Sequence, residues 1–295
     1  MTNNNTSINH TFKLGGDLTV NRLGYGAMRL SGQPGNFGAY PDWSGGKQLL
    51  RRAIELGVNF IDTAEAYGAG FNEKLIADAL YPYPQDLVIA TKGGINKPAP
   101  DQIIADASPE FLRKGVEGSL QRLKLEQMYL YQLHRPDPKV PFAESIEALK
   151  ELRDEGKIRH LGLSNVSVEQ IEQARQIVPI VSVQNKFSIS DRSMKDVLNY
   201  CTQDDLAFIP HGSLGAHPLK QGAPLANAEG IIADIAVKKG VKPNQIALAW
   251  LLHRAPNIIL IPGTTTIAHL EENMAASSII LTDEEMRSLN ELQVN

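Results

Sequence analysis

The strongest constraint on the fold of this chain is an alternation, in which a short apolar run precedes a stretch of helical periodicity, about eight times over. The runs at 23–27, 59–62, 87–92, 128–134, 160–164, 181–184, 206–210 and 258–262 have the length and apolar character of buried strands. Helix patterns stand beside them at 46–56, 72–80, 109–123, 143–155, 168–176, 193–202 and 267–276, with a longer two-helix stretch at 230–253. Strands separated by helices lie parallel, because each crossover brings the chain back to the same end of the sheet. Eight such units make a TIM barrel, whose typical length of about 250 residues fits a chain of 295. The expected class is therefore α/β, as a single (β/α)8 TIM barrel.

Local chemistry supports several boundaries. Ser108 followed by Pro109 is an N-cap with proline at the first helical position, and Ser167 with Gln170 and Thr282 with Glu285 fit capping boxes. Leu112, Val116, Leu120 and Leu123 recur near helical spacing and should face the strands. Ahead of the first barrel strand, Gly15 and Gly16 separate the runs 12–14 and 18–20, a hairpin signal, and the hairpin is expected across the barrel bottom. Residues 1–10, rich in Asn and Thr, are expected as a disordered tail, and 11–295 as one domain without solenoid repeats or linkers. The structural alternative, a doubly wound sheet, requires a glycine-rich first βα turn. Here the turn offers only Gly24 and Gly26.

A net charge of −4 without a dense basic stripe argues against nucleic acid and anionic membrane as partners. Cys201 is the only cysteine, which excludes an intramolecular disulfide and a thiolate metal cluster; its amphipathic context predicts burial in a helix. The first residues lack the charge and apolar core of a signal peptide, and no apolar run reaches membrane-spanning length. A cytoplasmic enzyme of small molecules is expected, as a monomer or weak homo-oligomer.

Four polar residues follow or end successive apolar runs: Asp62 and Tyr67, then Lys92, then His134. Each alone has an ordinary reading as a cap, rim or solvated residue. Together they gain meaning, because residues at the C-terminal ends of parallel strands project into one crevice. An acid, a phenol, an ammonium and an imidazole gathered there suit proton transfer.

The stretch VNFIDTAEAYG at 58–68, followed by Lys92-Gly93-Gly94 and His134, resembles the D-T-A-x-x-Y-G signature and catalytic order of the aldo-keto reductases. GLSNVS and VQNKFS resemble that family's nicotinamide-binding strand ends, and IPGTTTIAHLEENMAA its adenine-side signature. The resemblance spans nearly the whole chain. It implies reduction of a carbonyl by hydride from a nicotinamide, with Tyr67 as proton donor, Lys92 as its tuner, Asp62 holding Lys92 and His134 donating to the carbonyl oxygen. The residue types suit the task, since hydride transfer leaves negative charge on oxygen. A phenol is a weak acid, and a nearby ammonium favours its ionised form. No metal is required.

The same resemblance assigns cofactor contacts. Ser164, Asn165 and Gln184 match the residues on the nicotinamide carboxamide, Ala27 and Met28 the turn beside its ribose, and Gly212 and Leu214 the loop over the pyrophosphate. Glu272 and Asn273 match the adenine side. Two departures stand out. His211 occupies the place of the family's stacking aromatic, where its charge would vary with pH. Gly263, Thr264 and His269 replace the usual Lys, Ser and Arg at the ribose 2′-phosphate, leaving Thr264, Thr265 and helix N–H groups to hold a phosphate. The overall pattern is similar to a bacterial branch that includes NADPH-dependent pyridoxal reductases, which implies NADPH, with NADH as the alternative, and a small aromatic aldehyde as substrate. Tyr25, Met28, Arg29, Tyr40, Trp43 and Arg135 are candidates for the pocket mouth, against structural roles for each. Two other functions are the alternatives. One is a non-catalytic cofactor-binding regulatory subunit, disfavoured by the retained tetrad; the other is a Schiff-base aldolase using Lys92, disfavoured because Asp62 should keep the lysine protonated.

Overall fold

The chain enters through an antiparallel hairpin, β1 (Thr11–Leu14) and β2 (Leu18–Asn21), turned by Gly15 and Gly16 at positive φ. The structure, a computed structural model, describes residues 9–215 and 224–292. Three parallel strands follow: β3 (Tyr25–Gly26), β4 (Phe60–Asp62) and β5 (Val88–Gly93). A second antiparallel hairpin, β6 (Ile95–Ala99) with β7 (Gln102–Ala105), interrupts the barrel rhythm. The parallel order resumes with β8 (Met128–Leu133), β9 (Ile158–Ser164), β10 (Ile180–Gln184) and β11 (Ala207–Phe208).

The eighth strand position is held by residues 257–260 through bonds on both sides. Phe208 N donates to Asn257 O at 2.9 Å and Ile259 N to Phe208 O at 2.9 Å, while Leu260 N donates to Arg22 O and Gly24 N to Leu260 O, each at 2.8 Å. The sheet thereby closes on itself, which removes the doubly wound alternative and gives the expected barrel.

The helices are α1 (Trp43–Glu55), α2 (Phe71–Leu80), α3 (Pro109–Leu123), α4 (Phe142–Asp154), α5 (Val168–Arg175), α6 (Lys195–Gln203), α7 (Ile231–Lys239), α8 (Pro243–Arg254), α9 (Ile267–Ala275) and α10 (Asp283–Asn290). Their starts follow the sequence signals. Ser108 Oγ accepts from Phe111 N at 3.4 Å ahead of α3, and the capping boxes Ser167–Gln170 and Thr282–Glu285 form before α5 and α10. α1 begins earlier than its periodicity predicts, because Asp42 caps it by accepting from Gly45 N at 2.9 Å. Cys201 lies buried on α6, where burial pushes its thiol up to about 12. Among the described residues no helix is long and apolar enough to cross a membrane.

Two apolar layers result. The outer one lies between strands and helices, and the inner one fills the barrel with Phe60, Val88, Ala90, Leu130, Ala207, Ile209 and Ile259. Phe12, Leu14 and Val20 of the first hairpin join the inner layer and seal its lower end. Arg22 clamps this end: fully enclosed, it donates Nε to Ile258 O at 2.9 Å, Nη1 to Asn9 O at 2.8 Å and Nη2 to Leu252 O at 2.8 Å. Of the tail expected over 1–10, residues 1–8 lie outside the described residues. Asn9 and His10 are bonded to Arg22, the latter through Arg22 N to His10 O at 2.9 Å.

No element is predicted over 95–105, and the β6–β7 hairpin is the main addition to the sequence reading. Pro98 and Pro100 conceal it, since prolines argue against strand, and the register slips between Asn96 and Ala99. It packs against the loop after β3, where Lys97 Nζ donates to Gly35 O.

Candidate active site

Apart from Tyr67, which opens the turn before α2, the polar residues at issue come from the C-terminal ends of the parallel strands. Asp62 closes β4, Lys92 stands one residue from the end of β5, His134 follows β8, Ser164 closes β9 and Gln184 closes β10. The hairpin seals the opposite end. The site therefore lies at the C-terminal end of the barrel strands.

At its centre Lys92, wholly buried, donates Nζ to Asp62 Oδ1 at 2.6 Å, to Thr63 O at 2.8 Å and to the Tyr67 hydroxyl at 3.3 Å. The Nζ also lies 4.9 Å from the centre of the Tyr67 ring, and His134 meets that ring edge-on at 5.9 Å. The four residues of the predicted tetrad are thus brought together. Burial alone favours the neutral amine, yet the Asp62 charge and the bonds to Asp62 and Tyr67 outweigh it and hold Lys92 as the ammonium above its ordinary range. Burial raises the Tyr67 phenol against the pull of Lys92. The sequence reading expects the ammonium to favour ionisation; in the folded site desolvation prevails, and the phenol keeps its proton at neutral pH. Burial, then the charges of Lys92 and Arg135, hold His134 well below the usual imidazole range and therefore neutral.

Tyr67 is aimed by an unusual turn. Gly68, Ala69 and Gly70 follow it with φ of 61°, 52° and 85°, a left-handed run that reverses the chain into α2. Gly68 N donates to Asn36 O at 2.9 Å, tying the turn to the loop after β3. Buried Asn72 completes the brace: its Oδ1 accepts from Thr63 Oγ1 at 2.6 Å, and its Nδ2 donates to Ala27 O at 2.8 Å and Leu30 O at 2.6 Å.

On the other side, Ser164 Oγ donates to Gln184 O at 2.8 Å, and Asn165, at φ 58°, donates Nδ2 to His134 O at 2.9 Å. Asn165 Oδ1 lies 3.2 Å from His211 Nε2, so Asn165 joins the β8, β9 and β11 ends. Burial and the Lys92 charge push His211 down to about 4. Contrary to the expectation of a pH-variable charge, His211 stays neutral across the physiological range. Gln184 donates Nε2 to Asp62 Oδ2 at 2.9 Å.

A profile of the Aldo/keto reductase family matches residues 22–294. The chain belongs to that family. This aldo/keto reductase is 43% identical over 276 residues to an uncharacterized oxidoreductase of Schizosaccharomyces pombe, covering 94% of this chain and 88% of that one. It is 41% identical over 287 residues to pyridoxine 4-dehydrogenase of Escherichia coli, covering 95% and 97%. An aldo/keto reductase from Klebsiella pneumoniae, crystallised with NADP and acetate, superposes with a TM-score of 0.80 at 26% identity, over 96% of this chain and 95% of that one. The chain is an NAD(P)H-dependent oxidoreductase.

The remaining positions that the resemblance implies for the cofactor are placed as follows. Ala27 is buried, its carbonyl taken by Asn72, and Met28 O accepts from Ser31 Oγ at 2.6 Å. Gly212 and Leu214 lie in a turn closed by Gly215 N to Gly212 O at 2.8 Å; the following residues 216–223 are not among those described. Thr264 is buried, with its carbonyl held by the Tyr25 hydroxyl at 2.7 Å and its Oγ1 accepting from Thr266 N at 3.2 Å. Thr265 and His269 are exposed around the start of α9, whose cap Thr266 accepts from His269 N at 3.4 Å. Glu272 is ion-paired with Lys242, and buried Asn273 accepts from Asn244 Nδ2 at 3.4 Å. Gly263 has a steric explanation: a Cβ there would lie 2.6 Å from Gly26 O, so any side chain would require this backbone or β3 to shift.

Of the pocket-mouth candidates, Tyr25 is wholly buried and Trp43 donates Nε1 to Asp78 Oδ2 at 2.8 Å, so both are structural ties; Arg135 is exposed next to His134. Asn72, Glu73 and Gln132 join the site without standing out in the sequence as functional residues. Wholly buried Glu73 accepts from Thr91 Oγ1 and from Arg122 Nε, each at 2.6 Å, behind β5. A signal existed for each. Asn72 and Glu73 fall in helical register with Ile76 and Leu80 on the buried face of α2, and Gln132 interrupts an apolar run.

Proposed function

We propose that this aldo/keto reductase reduces the carbonyl of a small aldehyde with NADPH, pyridoxal or another aromatic aldehyde being the substrate. The observation that carries the reading is the Asp62–Lys92–Tyr67 relay, with Lys92 Nζ 2.6 Å from Asp62 Oδ1 and 3.3 Å from the Tyr67 oxygen, opening beside a neutral His134. The nicotinamide, when bound, supplies the hydride that adds to the carbonyl carbon. Tyr67 supplies the proton to the oxygen, giving the alcohol and the oxidised cofactor. Lys92 stabilises the phenolate that remains, because its ammonium already donates to that oxygen. His134 is a poor acid in its half-buried, neutral state and serves as a hydrogen-bond donor to the carbonyl, which leaves Tyr67 as the proton source. The aldolase alternative fails on the same geometry, since an amine held as ammonium by Asp62 is a poor nucleophile.

Ser164, Asn165 and Gln184 fit a carboxamide, offering a hydroxyl and two amides at adjacent strand ends, and α9 offers its N-terminus and Thr265 to a phosphate. The Klebsiella relative's NADP supports NADPH over NADH. The Escherichia coli relative supports the substrate class, because dehydrogenating an aromatic carbinol is the reverse of reducing an aromatic aldehyde. The test is consumption of NADPH with pyridoxal and nitrobenzaldehydes. We expect turnover by the native chain, and for Tyr67→Phe a loss of about a thousandfold with NADPH affinity nearly unchanged. A native protein that binds NADPH yet consumes none across a broad carbonyl panel would overturn the reading, and a strong binding preference for NADH would overturn its cofactor half.

A further inference from the structure

Asp62 divides its two oxygens between different tasks. Oδ1 takes the Lys92 ammonium at 2.6 Å, whereas Oδ2 faces two amides, Gln184 Nε2 at 2.9 Å and Gln132 Nε2 at 3.3 Å. None of these four residues is more than 3% exposed. Gln184 already has an assignment at the cofactor; Gln132 has none.

The register explains how a long polar side chain enters the barrel at this level. Gln132 lies opposite Lys92 across the β5–β8 pair and opposite Gly162 across β8–β9. A Cβ at Gly162 would lie 2.9 Å from Gln132 Cγ and 2.2 Å from Ser182 Oγ, so the missing side chain makes the room. The placement has a cost, because the buried Gln132 Oε1 has no hydrogen-bond partner. An apolar residue of similar volume would avoid it. What the amide adds in return is the N–H donor to Asp62.

We propose that Gln132 is a positioning residue for the reaction, the donor that holds Asp62 Oδ2 when Gln184 turns its amide to the cofactor and so keeps Oδ1 on Lys92. The inference rests on the reading of Gln184 as a carboxamide ligand. The donors of Gln184 are then shared between Asp62 and the ligand, while the Gln132 donor faces the barrel interior, where no ligand competes for it. Cofactor binding would loosen Asp62 if Gln184 were its only clamp; with Gln132 beneath, the ammonium stays aligned with the Tyr67 oxygen.

Gln132→Met keeps the volume and removes the donor. The expected result with pyridoxal is a kcat lower by about tenfold, with the NADPH dissociation constant within about twofold of native. The alkaline limb of the kcat profile should move to lower pH by about half a unit or more, because a less firmly aimed Asp62 releases the Lys92 proton earlier. A lowered unfolding midpoint with kcat and the alkaline limb unmoved would make Gln132 a packing residue and overturn the proposal. Should the variant not fold, a crystal structure of the native chain with NADPH decides: Gln132 Nε2 should lie on Asp62 Oδ2 closer than the present 3.3 Å, and its withdrawal from Asp62 would overturn the proposal. A native chain inert toward every carbonyl, yet showing Gln132 closed on Asp62 in that complex, would sink the broader reading and leave the clamp standing.

Discussion

Lys92 shows how opposed forces settle at a single atom. Removal from water disfavours its charge, but Asp62 Oδ1 at 2.6 Å reverses the balance, and the ammonium so held donates to the Tyr67 oxygen. Asp62→Asn should therefore cost more than one hydrogen bond, because it leaves an uncompensated buried charge; we expect kcat to fall about a hundredfold, and the alkaline limb of its pH profile to move down, measured by steady-state turnover across pH. Histidines contribute to the acid side of stability. His211 has a folded pKa of about 4, below the ordinary value of about 6.5, so the unfolded chain binds the proton first. Its contribution is complete above pH 6.5 and is lost as pH falls through about 4, and His134, also held low, acts in the same direction. Lys92 acts at the other end: its folded pKa is raised, so its contribution holds below about 10.4 and is lost as pH rises through the folded value. The urea midpoint should drop between pH 6.5 and 4, and less steeply in His211→Gln. An equally steep drop in that variant would show that other groups govern acid unfolding.

At the scale of elements, the site depends on turns that the barrel strands do not specify. The left-handed run after Tyr67 is one. At Gly68 a Cβ would lie 2.5 Å from Gly38 O at a φ of 61°, so Gly68→Ala should cost about 2 kcal/mol of stability and displace Tyr67, lowering kcat well beyond what the stability loss explains. Denaturant unfolding and turnover of the same preparation would check both. Arg22 is the other dependence. Its donors satisfy carbonyls of residues 252, 255 and 258 and of Asn9, knitting the end of α8 and the closing strand to the chain's entry. Arg22→Met would leave the buried carbonyls of residues 252, 255 and 258 unsatisfied at a cost of about 3 kcal/mol, read as a lower urea midpoint, and would leave NADPH affinity unchanged because the clamp lies at the sealed end.

Over the whole molecule, the packed hairpin and the proposed site occupy opposite ends of the barrel. The hairpin closes the N-terminal end with Phe12, Leu14 and Val20, while the polar residues gather at the other. Leu14→Ala, at a wholly buried position, should lower stability by about 3 kcal/mol and leave kcat unchanged at temperatures where the variant is folded. A kcat that fell in parallel would mean that the two ends are coupled through the inner layer.

Local sequence carries the repeating strand and helix pattern, most helix starts and the tetrad positions, because these rest on periodicity, caps and polar residues at the ends of apolar runs. α3 and α5 begin where Ser108 and Ser167 place them, and Asp62, Tyr67, Lys92 and His134 converge because parallel strands present their C-terminal ends to one crevice. It did not reveal the β6–β7 hairpin, whose prolines hide its pairing, or the closing strand's bonds to both β11 and the entry to β3. Nor could it show why Gly263 lacks a side chain, since the obstacle is Gly26 O, a backbone atom distant in sequence and close in space. A charged Lys92 beside Asp62 is expected from the sequence, but the balance that sets each protonation state belongs to the tertiary structure. Lys92 charged, Tyr67 protonated and His134 neutral follow from burial and from charges a few ångströms away, and only closure of the barrel sets both.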